Sequence, residues 1–259
     1  MLITEILAGH KISALALLKN DSLASVETKS KSKNESIIKV WNLTDASLSR
    51  EIPIKEFVVY SLAALDDGNL ALGSDIMIII WNGSELRDLE AHKMSIHALV
   101  GLSNGRFASG SDDMTIKIWN TSDFSLIRTL REPSCNVRAL VVLKNGLLAS
   151  GCAFSSINIW DIDSGSLIKE IKCHNSSLSS LAVLENGSLA TGSYDTTVKV
   201  WNTTDWSLII TLRLNDWVTS LAVLKNGCLA SGTRNEIEIW CLNKTLVSNQ
   251  TTALKIFGF

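Results

Sequence analysis

Along most of its length the chain alternates short apolar runs with polar turns, and within the runs the apolar positions recur every second residue. Val137-Arg-Ala-Leu-Val-Val-Leu143, Ser156-Ile-Asn-Ile-Trp160 and Thr197-Val-Lys-Val-Trp201 are rich in Val, Ile, Leu, Ser and Thr, the period and composition of β-strands. Asp67-Gly68, Asn104-Gly105, Asn145-Gly146, Asn186-Gly187 and Asn226-Gly227 each separate two such runs, and Asn20-Asp21 holds that place nearest the start. Such pairs favour the positive φ values of a type I′ turn, so each predicts a hairpin. Residues 137–171 show the whole unit. Leu147-Leu-Ala-Ser150 follows the hairpin turn, the run ending at Trp160 comes next, and a polar turn holding Asp163-Ser-Gly165 leads to Leu167-Ile-Lys-Glu-Ile171. Four short strands make one unit.

The unit repeats. Trp41, Trp81, Trp119, Trp160, Trp201 and Trp240 stand 40, 38, 41, 41 and 39 residues apart, each closing a β-rich run. A fixed period of this size with four strands in it predicts an all-β chain, a β-propeller of four-stranded antiparallel blades; helical repeats would need apolar spacing of 3.6 residues. Six blades are expected over a single unit of residues 1–259, with a seven-bladed or incomplete ring of a longer chain as the alternative. Leu2-Ile-Thr-Glu-Ile-Leu7 precedes Gly9-His10 as Glu85–Glu90 precedes Ala91-His92, so residues 2–8 are expected to supply the closing outer strand of the sixth blade. The tail at 242–259, with Thr252–Phe257, competes for that slot. Residues 26–36, with three alternating lysines, read as a solvated loop insertion.

Ser109-Gly-Ser-Asp-Asp-Met-Thr-Ile-Lys-Ile-Trp119 is similar to the WD repeat, whose consensus runs Gly-His, a spacer, then Ser-Gly-Ser-x-Asp-x-Thr-Ile-x-Ile-Trp-Asp; the resemblance covers residues 1–245. It implies a propeller in which a His, a Ser or Thr, an Asp and the Trp of one blade are joined by hydrogen bonds. By that resemblance one structural tetrad is His92, Ser109, Asp113 and Trp119, and a second is His174, Thr191, Asp195 and Trp201; His to Trp is 27 residues in both. Elsewhere the pattern decays. Phe154 and Arg234 stand near the Asp place, Pro133 falls where Gly-His would be, and only Trp160-Asp161 keeps the Trp-Asp pair.

With 46% hydrophobic residues and a formal charge of -2, no overall field draws the chain to nucleic acid or an anionic membrane. The start lacks the pattern of a signal peptide and no run of eighteen apolar residues occurs, so the chain reads as soluble and cytoplasmic or nuclear. Five cysteines without Cys-x-x-Cys spacing argue against a disulfide framework or a zinc site and read as small buried hydrophobes, and the ten Asn-x-Ser/Thr sequons read as unglycosylated turn residues.

Function must then sit on exposed side chains. In WD-repeat propellers the top face around the channel commonly binds peptide segments, and the first strand of each repeat aims residues there. The candidates are Lys11, Tyr60, His97, Asn136, Arg138, Trp217 and Thr219, with Tyr60, Arg138 and Trp217 favoured because Tyr, Trp and Arg dominate protein contacts. Trp217 covering the end of its own blade is the structural alternative; Trp206 is a second exposed aromatic candidate. These axial positions hold one His, one Lys, one Arg and no carboxylate, which is no catalytic set. The expectation is a non-catalytic scaffold or adaptor, monomeric or in a hetero-complex, with protein partners and no cofactor, metal, nucleic acid or membrane. The alternative is a propeller enzyme, or a phospholipid or nucleic-acid reader, using the axial channel.

Overall fold

The computed structural model describes residues 11–18, 22–30, 35–45, 47–131, 135–224, 226–234, 236–241 and 252–257. Among these residues twenty-four strands form six four-stranded antiparallel sheets, a six-bladed β-propeller. No described helix is long and apolar enough to cross a membrane. The chain divides into two compact units, Met1–Glu132 and Pro133–Phe259, with three sheets each.

In the first unit, sheet one holds β1 (Lys11–Leu17), β2 (Ser22–Ser30), β3 (Glu35–Asn42) and β4 (Leu48–Ile54). Sheet two holds β5 (Ser61–Ala64), β6 (Leu70–Gly73), β7 (Met77–Trp81) and β8 (Leu86–Glu90); sheet three holds β9 (Ile96–Leu102), β10 (Arg106–Ser111), β11 (Thr115–Asn120) and β12 (Leu126–Arg131). Strands lie in chain order, because each pairs with its predecessor through a short turn. The middle strands are buried on both faces, and period two then divides their side chains between two neighbours. Leu70, Leu72 and Ile79 pack with Ala24, Val26 and Ile38 of sheet one, while Ala71, Ile78 and Ile80 pack with Phe107 and Trp119 of sheet three. Within 26–36 the structure departs from the expected loop. Residues as far as Ser30 continue β2, Glu35 and Ser36 open β3, and Thr28 pairs with Ser36; 31–34 lie outside the described residues. Glu27, read as part of the loop, is fully buried with one carboxylate oxygen 3.0 Å from Lys39 Nζ, the cation that a buried carboxylate requires.

In the second unit, sheet four holds β13 (Val137–Val142), β14 (Leu148–Cys152), β15 (Ser156–Asp161) and β16 (Ser166–Lys172). Sheet five holds β17 (Leu178–Val183), β18 (Leu189–Ser193), β19 (Thr197–Trp201) and β20 (Leu208–Arg213). Sheet six holds β21 (Ser220–Val223), β22 (Leu229–Gly232), β23 (Glu236–Cys241) and β24 (Thr252–Phe257). The sixth sheet therefore draws its outer strand from the tail, with Ile237 opposite Ile256 and Ile239 opposite Leu254 in register. Residues 2–8, expected in that slot, lie outside the described residues.

Two expectations change at residue level. Only Asn104-Gly105 has positive φ at both positions (62° and 65°); at Gly68, Gly146, Gly187 and Gly227 the glycine alone is positive, and its amide donates to the carbonyl three residues earlier. Those hairpins turn through a type I turn followed by a left-handed glycine. Four of the five cysteines are disulfide-bonded, Cys135 to Cys152 and Cys228 to Cys241, rather than separate hydrophobes. Register explains the second bridge: Leu229 faces Trp240, so the flanking Cys228 and Cys241 meet across β22 and β23 with Cα atoms 4.3 Å apart. Cys173 alone is free and buried, and burial pushes its thiol up to about 12.

Candidate functional site

Each sheet has two ends. One carries the turns joining its first to second and third to fourth strands. The other carries the loop between its second and third strands and the segment leading into its first, and it is at this loop end that the repeats differ.

In sheets three and five the loop end is closed by a hydrogen-bonded chain. His92 Nδ1 lies 2.9 Å from Asp113 Oδ2, His92 Nε2 lies 2.7 Å from Ser109 Oγ, and Trp119 Nε1 donates to the same Oγ at 2.8 Å. Sheet five repeats this with His174, Asp195, Thr191 and Trp201 at 2.9, 2.7 and 3.1 Å. A neutral imidazole protonated on Nδ1 satisfies every group, taking the hydroxyl proton on Nε2. Burial holds both histidines below their ordinary value and outweighs the carboxylate beside each. Burial also tends to raise Asp113 and Asp195, but bonds from the Thr115 and Thr197 hydroxyls, the Lys93 and Asn175 amides and the histidines leave both carboxyls below the usual range. Ser109 and Thr191 are fully buried, each already accepting an indole N–H.

The position six residues before the repeat Trp is Asp in sheets two, three and five, and Phe and Arg in sheets four and six. In sheet two Asp75 has no His to hold and instead accepts from Tyr60 Oη at 3.0 Å and Ser95 Oγ at 3.4 Å. In sheet four the residue is Phe154, 68% exposed, and in sheet six it is Arg234, whose guanidinium lies 4.0 Å from the centroid of the Trp217 ring. Trp217 also stacks on Tyr194 of sheet five at 5.2 Å with 28° between planes, and both rings remain about two-fifths exposed. The backbone holds them there. Val218 N donates to Ser193 O, Tyr194 N donates to Ser177 O, and Ser177 Oγ donates to Ala153 O beside Phe154.

Among the residues singled out from sequence, the first unit brings Tyr60 and His97 together with ring centroids 5.4 Å apart, and His97 Nε2 lies 3.0 Å from Asp112 Oδ2. Partial burial raises the Tyr60 hydroxyl, as does the Asp75 carboxylate. Lys11 opens β1, in register with Thr28. In the second unit Asn136 accepts from Ala153 N at 3.0 Å, Arg138 is half-buried on β13, and Thr219 Oγ1 donates to Gly232 O at 3.0 Å. Trp206 is half-buried against the core between sheets four and five, not an open aromatic. Sequence reasoning named Trp217 and passed over the residues stacked on it. The usable signal was the loss of Asp at 154 and 234, which frees a loop position to face solvent.

Residues 83–120 and 165–202 match the family model of the WD domain, G-beta repeat. The chain is similar in structure to the WD40 beta propeller domain of Doa1, at 22% identity and a TM-score of 0.77 over 92% of this chain and 81% of that one. It is similar also to the RRP9 WD40 repeats, at 19% and 0.81 over 95% and 80%, and to U3-55K, at 19% and 0.81 over 95% and 81%. At these identities the likeness is one of fold. No curated protein matches the chain significantly.

Proposed function

Since the chain carries WD repeats at 83–120 and 165–202 within a six-bladed β-propeller, we propose that it is a non-catalytic module that binds a partner protein at the loop end of its blades, as an adaptor in a multiprotein complex. The observation that carries this reading is the group Phe154, Tyr194, Trp217 and Arg234 in the second unit: large, exposed side chains on loops tied down by backbone hydrogen bonds. Exposed aromatic area is unfavourable in water, and Trp, Tyr and Arg are the residues that most often anchor protein contacts. In the first unit the loop end likewise exposes Ile76, Met94 and Met114. The tetrads argue against catalysis by their Ser, His and Asp, because the buried hydroxyl is held between indole and imidazole with no path to a substrate. A net charge of -2 favours protein over nucleic acid as the partner.

Affinity capture followed by mass spectrometry tests this, comparing the wild type with a Tyr194→Ala, Trp217→Ala variant and with Leu43→Ala, which alters an exposed apolar residue in a β3–β4 turn at the opposite end of its sheet. A reproducible partner set lost by about tenfold or more in the double variant and kept in Leu43→Ala supports the reading, since two anchors worth about 1 to 2 kcal/mol each together exceed the roughly 1.4 kcal/mol of a tenfold change. Equal capture by all three proteins would refute it.

A further inference from the structure

We propose that Arg234, stacked on Trp217, is the anion-binding half of a peptide site, and that its occupant is an acidic segment with an aromatic or large aliphatic side chain next to its carboxylate. The inference rests on the partner-binding reading above and names the partner's chemistry.

The first ground is the reversal of charge within one structural column. Where sheets three and five place an Asp on a buried His, sheet six places Arg234 six residues before Trp240, and residues 214–219 leading into β21 hold no His. Arg234 has therefore no role in a tetrad. Among the described residues it packs on the Trp217 ring and forms no ion pair. A guanidinium engages an aromatic ring through its charge and flat face, which leaves N–H donors along its edge for a carboxylate, two at a time.

The second ground is preorganisation. The Trp217 amide donates to Asp216 Oδ1 at 2.7 Å, and Ser179 Oγ donates to Val218 O at 2.6 Å, so the backbone that presents the ring is held on either side of it. Ordering a long side chain is a main cost of binding, and here stacking has already restricted it.

The third ground is what lies alongside. Tyr194 and, on sheet four, Phe154 offer exposed apolar surface at the same end of the second unit, which suits a hydrophobic neighbour of the bound carboxylate. Asp216 stands next to Trp217, so a run of phosphates meets a repelling charge where a single carboxylate can be seated on Arg234 alone.

The test is fluorescence anisotropy on the full chain with three labelled peptides: one with Asp and Glu flanking Phe-Leu, one with those acids replaced by Asn and Gln, and one with Phe-Leu replaced by Ala-Ala. The acidic aromatic peptide is expected to bind about tenfold tighter than its amide counterpart, as for a charge-assisted bidentate pair. Arg234→Gln should remove that preference and Arg234→Lys restore only part of it, because an ammonium cannot present the fork. Tyr194→Ala should weaken the acidic and amide peptides alike, with thermal melts confirming that every variant is folded. Equal affinity for acidic and amide peptides, no change in Arg234→Gln, no binding by any peptide up to about 1 mM, or tighter binding of a single-stranded oligonucleotide would each overturn the proposal. If partner capture still depends on Trp217 while the peptides are charge-blind, the acidic occupant is wrong and the partner-binding reading stands.

Discussion

His92 and His174 are buried and neutral, and this gives the stability of the chain a direction with pH. In the unfolded chain each takes up a proton as pH falls through about 6.5, whereas in the fold burial holds the imidazole below that value. The unfolded state thus binds more protons over that window, and stability falls as pH drops. Asp113 and Asp195, held below their ordinary range, extend the loss to lower pH as they protonate. Urea unfolding should show a lower midpoint at pH 5.5 than at 7.5, and His92→Gln with His174→Gln should flatten that dependence. Ser109→Ala strips a partner from both His92 and Trp119 and should cost about 2 to 4 kcal/mol, against about 1 to 2 for Ser231→Ala, which frees the Trp240 indole and removes a 3.3 Å bond to the Glu238 carbonyl but frees no histidine. The same measurements check both. Equal spacing of His, Ser or Thr, Asp and Trp in two repeats is visible in sequence. The stack of Arg234 and Tyr194 on Trp217 is not, because contacts between loop residues 17 and 23 positions apart in sequence, one of them between neighbouring sheets, leave no periodic signal.

Strands and hairpins follow their local chemistry closely. Alternating Val, Ile and Leu between Asn-Gly or Asp-Gly turns leaves the chain little choice but antiparallel neighbours in sequence order. Adjacent sheets are further joined by cations on their outer strands: Arg50 of β4 reaches the Gly83 carbonyl and lies 5.6 Å from the Trp81 ring, and Arg87 of β8 lies 5.1 Å from the Phe124 ring. Period two told core from surface poorly in the middle strands, since both of their faces are buried and the alternation only selects which neighbour is touched. The outer strand of sheet six was ambiguous for the same reason: head and tail segments both alternate, and pairing partners are not written in either. The disulfides were hidden because each joins cysteines 17 and 13 residues apart across a hairpin, with no short motif. Closing loops of that size should stabilise the fold by about 3 kcal/mol each. Cys228→Ser with Cys241→Ser should therefore lower the urea midpoint, and peptide mapping without reductant should recover both bridges in the wild type.

At the scale of the molecule, the Trp spacing gives six repeats and leaves six or seven blades open, and the described residues build six four-stranded sheets. What spacing cannot give is which blades have given up their tetrad and turned a loop residue outward. That distinction separates sheets three and five, closed by buried His and Asp, from sheets four and six, which expose Phe154 and Arg234. The central claim is that partner binding belongs to the latter. Hydrogen exchange of the purified chain, alone and with a captured partner, tests it most directly. The account predicts slowed exchange at 153–155, 194–196, 216–219 and 233–234, with the turns at 144–146 and 185–187 unchanged; protection confined to those turns or to the outer strands would contradict it.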